Sequence, residues 1–270
     1  FATSAEQNTA IGYHALGEGT LTGDENVAIG QQSLADATSA TKNVAIGQKT
    51  GEKVTEGASN VIIGWEAGAT QTTQNENTLV GAQAGKDLTG QYNVFLGSEA
   101  GANATSSDNN TAIGRQAMAG VMTGDSNVSI GYRAGYPNTS GGDNVFIGVQ
   151  AGNGNTTASN NVAVGKGALY STQDSSNGGL NTAIGQGAGA DLTGHRNTML
   201  GYRTGYTSTS ANSNVYIGYE AGYKNTTGDS NVYIGNKAGP SSTSTESNKL
   251  YIHNNEGTPL IAGDFSAPSV

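Results

Sequence analysis

Residues 43–47 read Asn43-Val44-Ala45-Ile46-Gly47, and the pattern of this pentapeptide recurs along nearly the whole chain. Its general form is Asn, then Val or Thr, a variable residue, an aliphatic residue and Gly. Fourteen copies are spaced 16–20 residues apart, most often 17, and begin at Asn8, Asn26, Asn43, Asn60, Asn77, Asn93, Asn110, Asn127, Asn144, Asn161, Asn181, Asn197, Asn214 and Asn231. A degenerate fifteenth copy, Leu250-Tyr251-Ile252, follows Asn248. A repeat of this period predicts a solenoid.

Each copy has the pattern of a short β-strand. The second and fourth residues alternate with the residue between them, which places both on one face. The middle residue points the other way and varies from Ala45 to Ile62 to Tyr216. The glycine is expected to adopt a backbone angle that other residues avoid and to turn the corner. Three residues later every copy has a small residue, such as Ala67, which predicts a tightly packed second strand or corner.

Stacking of such coils would bring identical residues together. Neighbouring strands lie about 4.8 Å apart, and stacked asparagine amides hydrogen-bond along the stack. The predicted structural ladder includes Asn43, Asn60, Asn77, Asn127, Asn144, Gly47, Gly64, Gly81, Gly131 and Gly148. The extra residues of the 20-residue repeat fall in the polar turn at 171–180, as expected for a solenoid. The sequence therefore predicts an all-β parallel solenoid of about 15 coils of about 17 residues.

The composition excludes several classes of protein. Glycine accounts for 42 of the 270 residues, cysteine is absent, 12% of residues are charged and the net charge is −9. A chain without cysteine has no disulfide framework or thiolate metal site, and this acidic chain lacks the basic patch typical of nucleic-acid binding. Because no run of about 18 apolar residues is present, no membrane contact is expected in this segment.

Two copies carry a resemblance to a known family. Asn26-Val27-Ala28-Ile29-Gly30, with Ser33 three residues later, and residues 43–47, with Thr50, resemble the head repeats of trimeric autotransporter adhesins. The resemblance covers about residues 8–239 and implies a left-handed parallel β-roll, a homotrimer around one axis and an extracellular adhesive role. The family's usual repeat is shorter than this one, and the additional residues fall in the Thr/Ser/Gly/Asp turn. A related tail-fibre repeat protein is the alternative.

The expected organisation is a fibre segment. Residues 1–247 are predicted to form the repeat domain, and residues 248–270 a C-terminal cap and exit segment that leads to a stalk or further domain. The chain is expected to be a processed or excised piece of a longer protein. Its predicted function is to hold a binding surface away from a cell surface or a virion-like carrier. It would attach multivalently to a surface receptor, a glycan or a matrix protein.

Tyrosines supply the candidate contact surface. They occur in pairs, one directly after a corner glycine and one four residues later, at Tyr132 and Tyr136, Tyr202 and Tyr206, and Tyr219 and Tyr223. In adjacent coils the rings of Tyr202 and Tyr219 are expected to stack. Exposed tyrosines offer contact area suited to sugars or proteins. The alternative, which the sequence favours, is a ladder that only covers the outer sheet or fills a trimer seam.

No catalytic, cofactor-binding or metal-binding residues are predicted, and the chain is not expected to be an enzyme. His14, His195 and His253 lie at unrelated phases of the repeat, without a recurring Ser and Asp partner. A Thr/Ser pair before most asparagines, such as Thr38-Ser39, raises ice binding as a separate alternative. However, adjacent strand residues face opposite ways, so one hydroxyl per coil at most lies on a given face.

Overall fold

A computed structural model of the chain describes residues 5–17, 20–171, 179–255 and 258–266. It is an all-β parallel solenoid of about 14 turns with a spacing near 17 residues, which confirms the predicted fold class. Within the described residues, no helix is long and apolar enough to cross a membrane. The chain divides into two compact units, Phe1–Arg133 and Ala134–Val270.

The first unit has one three-residue strand per turn. Consecutive strands pair in parallel with equal repeat positions opposite each other, for example Val44 with Val61 and Ile46 with Ile63. The turns between strands provide the long return connection that parallel pairing requires. The strands are β1 Thr9–Ile11, β2 Val27–Ile29, β3 Val44–Ile46, β4 Val61–Ile63, β5 Thr78–Val80, β6 Val94–Leu96, β7 Thr111–Ile113 and β8 Val128–Ile130.

The second unit continues the same pattern and ends in a reversed strand. Its strands are β9 Val145–Ile147, β10 Val162–Val164, β11 Thr182–Ile184, β12 Thr198–Leu200, β13 Val215–Ile217, β14 Val232–Ile234, β15 Lys249–Ile252 and β16 Ile261–Asp264. The fifteenth copy joins in register, with Leu250 opposite Val232, whereas β16 runs antiparallel to β15, with Asp264 opposite Lys249. The predicted boundary after residue 247 stays a prediction. Residues 172–178 of the predicted insertion, and 256–257 and 267–270 of the predicted cap, lie outside the described residues.

The middle residue of each strand faces the interior. Ala28, Ile62 and Phe95 are fully buried, whereas Val61 and Ile63, which flank Ile62, are only half-buried. The position that varies most between copies is therefore the core position, and the recurrent aliphatic pair lines the outer face. The small-residue position is buried in a tight turn rather than in a second strand, so it forms a corner.

In the second unit the core includes a stack of tyrosines. The rings of Tyr216 and Tyr233 lie 5.2 Å apart between centroids, and Tyr251 stacks on Tyr233 at the same distance. The Tyr216 hydroxyl accepts a hydrogen bond from Asn225 Nδ2, whereas the Tyr233 hydroxyl has no partner among the described residues. Burial raises the pKa of the Tyr216 and Tyr233 phenols well above their ordinary value.

Every turn also holds non-glycine residues in the left-handed backbone region. Lys42, Gln83 and Gln150 each have a φ of 58°. This conformation costs a non-glycine residue about 1–2 kcal/mol. It persists here because the hydrogen bonds of the neighbouring turns fix the backbone, and this dependence on neighbours explains why one repeat cannot fold alone.

Candidate functional site

The asparagine ladder is buried inside the stack. Asn60 Nδ2 donates to Asn43 Oδ1 at 3.0 Å and to the Gln74 carbonyl at 2.8 Å, and Asn60 Oδ1 accepts from the Asn77 backbone N at 2.9 Å. Asn43, Asn60, Asn77, Asn127 and Asn144 are all buried. Because each amide bonds the turns on both sides of it, these residues hold the scaffold and are inaccessible to a ligand.

The corner glycines adopt a backbone conformation that is unfavourable for every other residue. The φ angles of Gly47, Gly64, Gly81, Gly131 and Gly148 lie between 131° and 138°. A Cβ on Gly64 would lie 2.4 Å from the Gly81 carbonyl oxygen of the next turn. Both the angle and the close approach of two backbones require glycine at this corner.

The structure brings four of the six candidate tyrosines together. Tyr202 stacks on Tyr219 with ring centroids 5.2 Å apart, and Tyr206 stacks on Tyr223 at 5.6 Å. The Arg203 guanidinium carbon lies 5.3 Å from the Tyr202 ring centroid and 5.1 Å from that of Tyr206. A cation held against two ring faces attracts both rings and rigidifies the cluster. Whether this surface contacts a ligand stays a prediction.

The remaining two candidates are not members of that cluster. Tyr132, in the first unit, is 37% exposed and is flanked by the guanidinium carbons of Arg115 at 5.9 Å and Arg133 at 5.5 Å. Tyr136, in the second unit, is half-buried.

Tyr219 is the most exposed ring of the cluster. It is 48% exposed, and desolvation by its neighbours, followed by the adjacent Glu220 carboxylate, raises the pKa of its phenol. The hydroxyl of Tyr219 therefore stays protonated at neutral pH and is available as a hydrogen-bond donor.

A column of long polar side chains lies two residues after most of the corner glycines. Gln83 Nε2 donates to Glu66 Oε2 at 3.0 Å, and this bond, together with the charge of Lys86, holds the pKa of the Glu66 carboxyl below its usual value. Further along the first unit, Gln116 Nε2 donates to Glu99 Oε2 at 2.7 Å. We call this column the polar ladder, because its members hydrogen-bond from one turn to the next.

The threonine hydroxyls considered for ice binding are used within the stack. Thr38 Oγ1 donates to the Thr55 carbonyl at 3.0 Å, and Thr139 Oγ1 donates to the Thr156 carbonyl at 2.8 Å. A hydroxyl has a single donor hydrogen, so these groups keep only acceptor capacity for water. This geometry weakens the ice-binding hypothesis.

Within the part of the chain that the structure describes, no group of three or more His, Asp or Glu side chains is arranged to hold a metal ion. His253 Nε2 accepts a hydrogen bond from the Gly239 backbone N at 2.9 Å, which gives this buried ring a structural partner. Comparison with models of known protein families, with characterised proteins and with solved structures gives no match for the chain.

Proposed function

We propose that this chain is a segment of an extracellular fibre, in which copies of the chain associate through the outer face of the strands and display the turns for attachment. The observation that carries the proposal is the outer face itself. In each turn it presents two aliphatic or β-branched side chains to the exterior of the single chain.

In each unit, taken by itself, the outer face is formed largely by apolar side chains. Its two columns are formed by the first and third residues of the strands. Ile46 is 37% exposed, Ile147 36%, Ile184 38% and Leu200 44%. Soluble proteins rarely expose a continuous apolar patch larger than a few hundred Å², and larger patches mark interaction surfaces.

Copies of the chain itself are the partner that fits this surface best. The same two side chains recur at one-turn intervals, so the surface of one chain matches the periodicity of another without a change of register. A solenoid with one three-residue strand per turn also buries little apolar surface by itself, and association adds what the single chain lacks. The resemblance to the head repeats of trimeric autotransporter adhesins makes a homotrimer with left-handed rolls the specific form proposed.

Two carriers remain open within this proposal, a bacterial surface adhesin and the tail fibre of a phage or injection device. In both, a repetitive segment acts without catalysis by presenting many equal sites at once, which raises avidity. The partner beyond the fibre is a surface receptor, a glycan or a matrix protein.

The mass of the chain in solution tests the proposal. Light scattering should give the mass of three chains. The double variant Ile46→Lys/Ile63→Lys places two ammonium groups in the apolar face and should shift the population to single chains. The control Gln48→Lys adds a charge at an exposed position of the same turn and should leave the mass unchanged.

Single-chain mass for the unaltered protein at high concentration would refute self-association. An unchanged mass of the double variant, with its β-sheet circular dichroism retained, would place the interface elsewhere.

A further inference from the structure

The polar ladder is interrupted in the second unit. Gln150 and Arg203 hold the ladder position in two turns, but Gly167 and Gly187 hold it in the two turns between them. The backbone is the same in all four, with φ of 58° and 50° at Gln150 and Arg203 and of 63° and 66° at the glycines. The ladder therefore loses its side chains for two successive turns without any change in the path of the chain.

A neighbouring column of aromatic residues is interrupted at the same level. Ser171 N donates to the Ala190 carbonyl at 2.7 Å, and Asp191 N donates to the Tyr206 carbonyl at 3.3 Å. These bonds show that Tyr170, Ala190 and Tyr206 are equivalent residues of three successive turns. The middle turn, which holds Ala190, has no ring between the two tyrosines.

The missing ring leaves open space over one of the glycines. A Cβ on Gly187 would lie 3.2 Å from the ring of Tyr206, so that ring covers Gly187. A Cβ on Gly167 would meet nothing within 4 Å. The residue that would cover Gly167 in the same way is Ala190, whose side chain is too short.

The result is a surface cavity of about 350 Å³. This volume lies at the lower end of the range of small-molecule sites, about 300–1,000 Å³. We call it the ladder gap and define it by the lining residues on which the argument depends, Lys166, Gly167, Tyr170, Gly187, Arg203 and Tyr206.

The ladder gap is electropositive in an acidic protein. Lys166 and Arg203 supply two positive charges and Asp191 one negative charge, whereas the whole chain carries −9. The Lys166 ammonium makes no ion pair or hydrogen bond to any described residue. The Arg203 guanidinium lies against the rings of Tyr202 and Tyr206, and it makes no hydrogen bond or ion pair to the side chain or backbone of a described residue. An arginine presented in this way suits bidentate binding of a carboxylate.

We infer that the ladder gap binds one acidic pyranose ring, a sugar unit that bears a carboxylate. The ring takes the place between Tyr170 and Tyr206 that Ala190 leaves empty, over Gly167. Its carboxylate pairs with Arg203 and Lys166. The inference deepens the attachment role proposed above and rests on it, because it names the ligand class of the displayed surface.

The spacing of the tyrosines favours a sugar over a flat aromatic ring. Two turns separate Tyr170 from Tyr206, which corresponds to roughly 10 Å at the usual distance between strands. A flat ring in contact with both would need only about 7–8 Å, because each contact spans about 3.5–4 Å. A puckered pyranose is thicker than a flat ring and would fill more of this space. Its C–H faces would pack on tyrosine, and its hydroxyls would face the amides of Gln150 and Gln186, which also line the gap.

Binding of three small probes to the full chain tests the inference. Methyl β-glucuronide and methyl β-glucoside share the same ring and differ in the carboxylate, and acetate carries the carboxylate without the ring. Saturation-transfer NMR should give a signal for the glucuronide, at least tenfold weaker binding for the glucoside, and no binding of acetate.

Substitutions at Gly167 locate the site. Gly167→Gln places in the gap the side chain that the ladder carries at Gln150, and should abolish glucuronide binding. Gly167→Ala imposes the same backbone strain without filling the gap, and should retain binding within about twofold. Arg203→Gln should weaken binding of the glucuronide at least tenfold and leave any glucoside binding unchanged.

Equal binding of glucuronide and glucoside, binding unaffected by Gly167→Gln, or no glucuronide signal with the unaltered chain would each overturn the inference. Light scattering on the same samples separates this result from the proposed function. If the unaltered protein has the mass of three chains but does not bind glucuronide, only the sugar site at the ladder gap is refuted. If it binds glucuronide as a single chain, only the trimeric fibre is refuted.

Discussion

The side-chain oxygen of Asn43 accepts two hydrogen bonds from Asn60, one from the backbone N and one from Nδ2, both at 3.0 Å. The same arrangement joins Asn26 to Asn43 at 3.1 Å for both bonds. One oxygen thus pairs with the backbone N at the start of the next strand. It also orients the next asparagine amide, whose own oxygen accepts hydrogen bonds from the turn that follows. The ladder transmits the register of the strands from turn to turn.

Asn60→Ala should lower the free energy of unfolding of the first unit by about 3 kcal/mol. The substitution leaves the Asn77 backbone N and the Gln74 carbonyl buried without their partner, and each orphaned group costs about 1–3 kcal/mol. Urea denaturation measures the change. Gln48→Ala, which removes an exposed amide from a nearby turn, should change stability by less than about 0.5 kcal/mol. Similar losses in the two variants would argue that the ladder adds nothing to stability.

Two glycine-to-alanine substitutions should differ strongly. Gly64→Ala forces a Cβ against the Gly81 carbonyl at 2.4 Å and should prevent the corner from closing, with a loss of more than about 3 kcal/mol. Gly167→Ala adds a Cβ in open space at φ 63° and should cost about 1 kcal/mol. Thermal unfolding of both variants gives the comparison, and equal shifts in Tm would contradict it.

The residues of Asn43–Gly47 and their recurrence were enough to predict a strand, a corner and a stack. Alternation of side chains indicates the strand, the glycine indicates the corner and the constant period indicates the stack. Which face is inside could not be predicted in the same way. Alternation separates Ile62 from Val61 and Ile63, but all three are apolar, and only closure of the turns shows that Ile62 is the buried one. The same ambiguity hid the burial of Tyr216, because tyrosine is equally common on surfaces.

Tyr233→Phe should stabilise the second unit by about 1 kcal/mol. Its buried hydroxyl has no hydrogen-bond partner among the described residues, so removal of the oxygen relieves a desolvation penalty while the ring stack with Tyr216 is kept. Tyr216→Phe removes the acceptor of Asn225 and should destabilise the unit by about 1 kcal/mol. Chemical denaturation of the two variants should therefore give shifts of opposite sign.

Stability of the second unit should fall in alkaline solution. An unfolded tyrosine ionises near pH 10, whereas burial raises the folded pKa of Tyr216 and Tyr233, so above pH 10 the folded state holds more protons than the unfolded state. The contribution is complete below pH 10 and is lost as pH rises toward the folded pKa, by up to about 1.4 kcal/mol per pH unit for each ring.

The double variant Tyr216→Phe/Tyr233→Phe checks this assignment. It should flatten the decline of unfolding free energy between pH 10 and 12, whereas Tyr170→Phe, which alters an exposed ring, should not. A decline that is equally steep in the double variant would assign it to other groups.

The candidate surface was only partly predictable. Equal spacing of Tyr202 and Tyr219 predicted their stacking, because residues one repeat apart face each other in a parallel stack. The ladder gap was not predicted, since it arises where the repeat has Gly or Ala in place of a long or aromatic side chain. Gly167, Gly187 and Ala190 resemble the many other small residues of the repeat until the structure shows that their neighbouring turns carry Gln, Arg and Tyr at the same positions.

The register that the asparagines maintain makes length a modular property of this protein. Excision of residues 44–60 would join Asn43 directly to Val61, and Asn43 would then meet Asn77 with the same donors and acceptors that Asn60 offers now. Recombination between copies of the repeat in the gene therefore adds or removes whole turns while every remaining contact keeps its geometry. The length of the repeat region can therefore evolve in discrete steps, independently of the side chains that any one turn exposes.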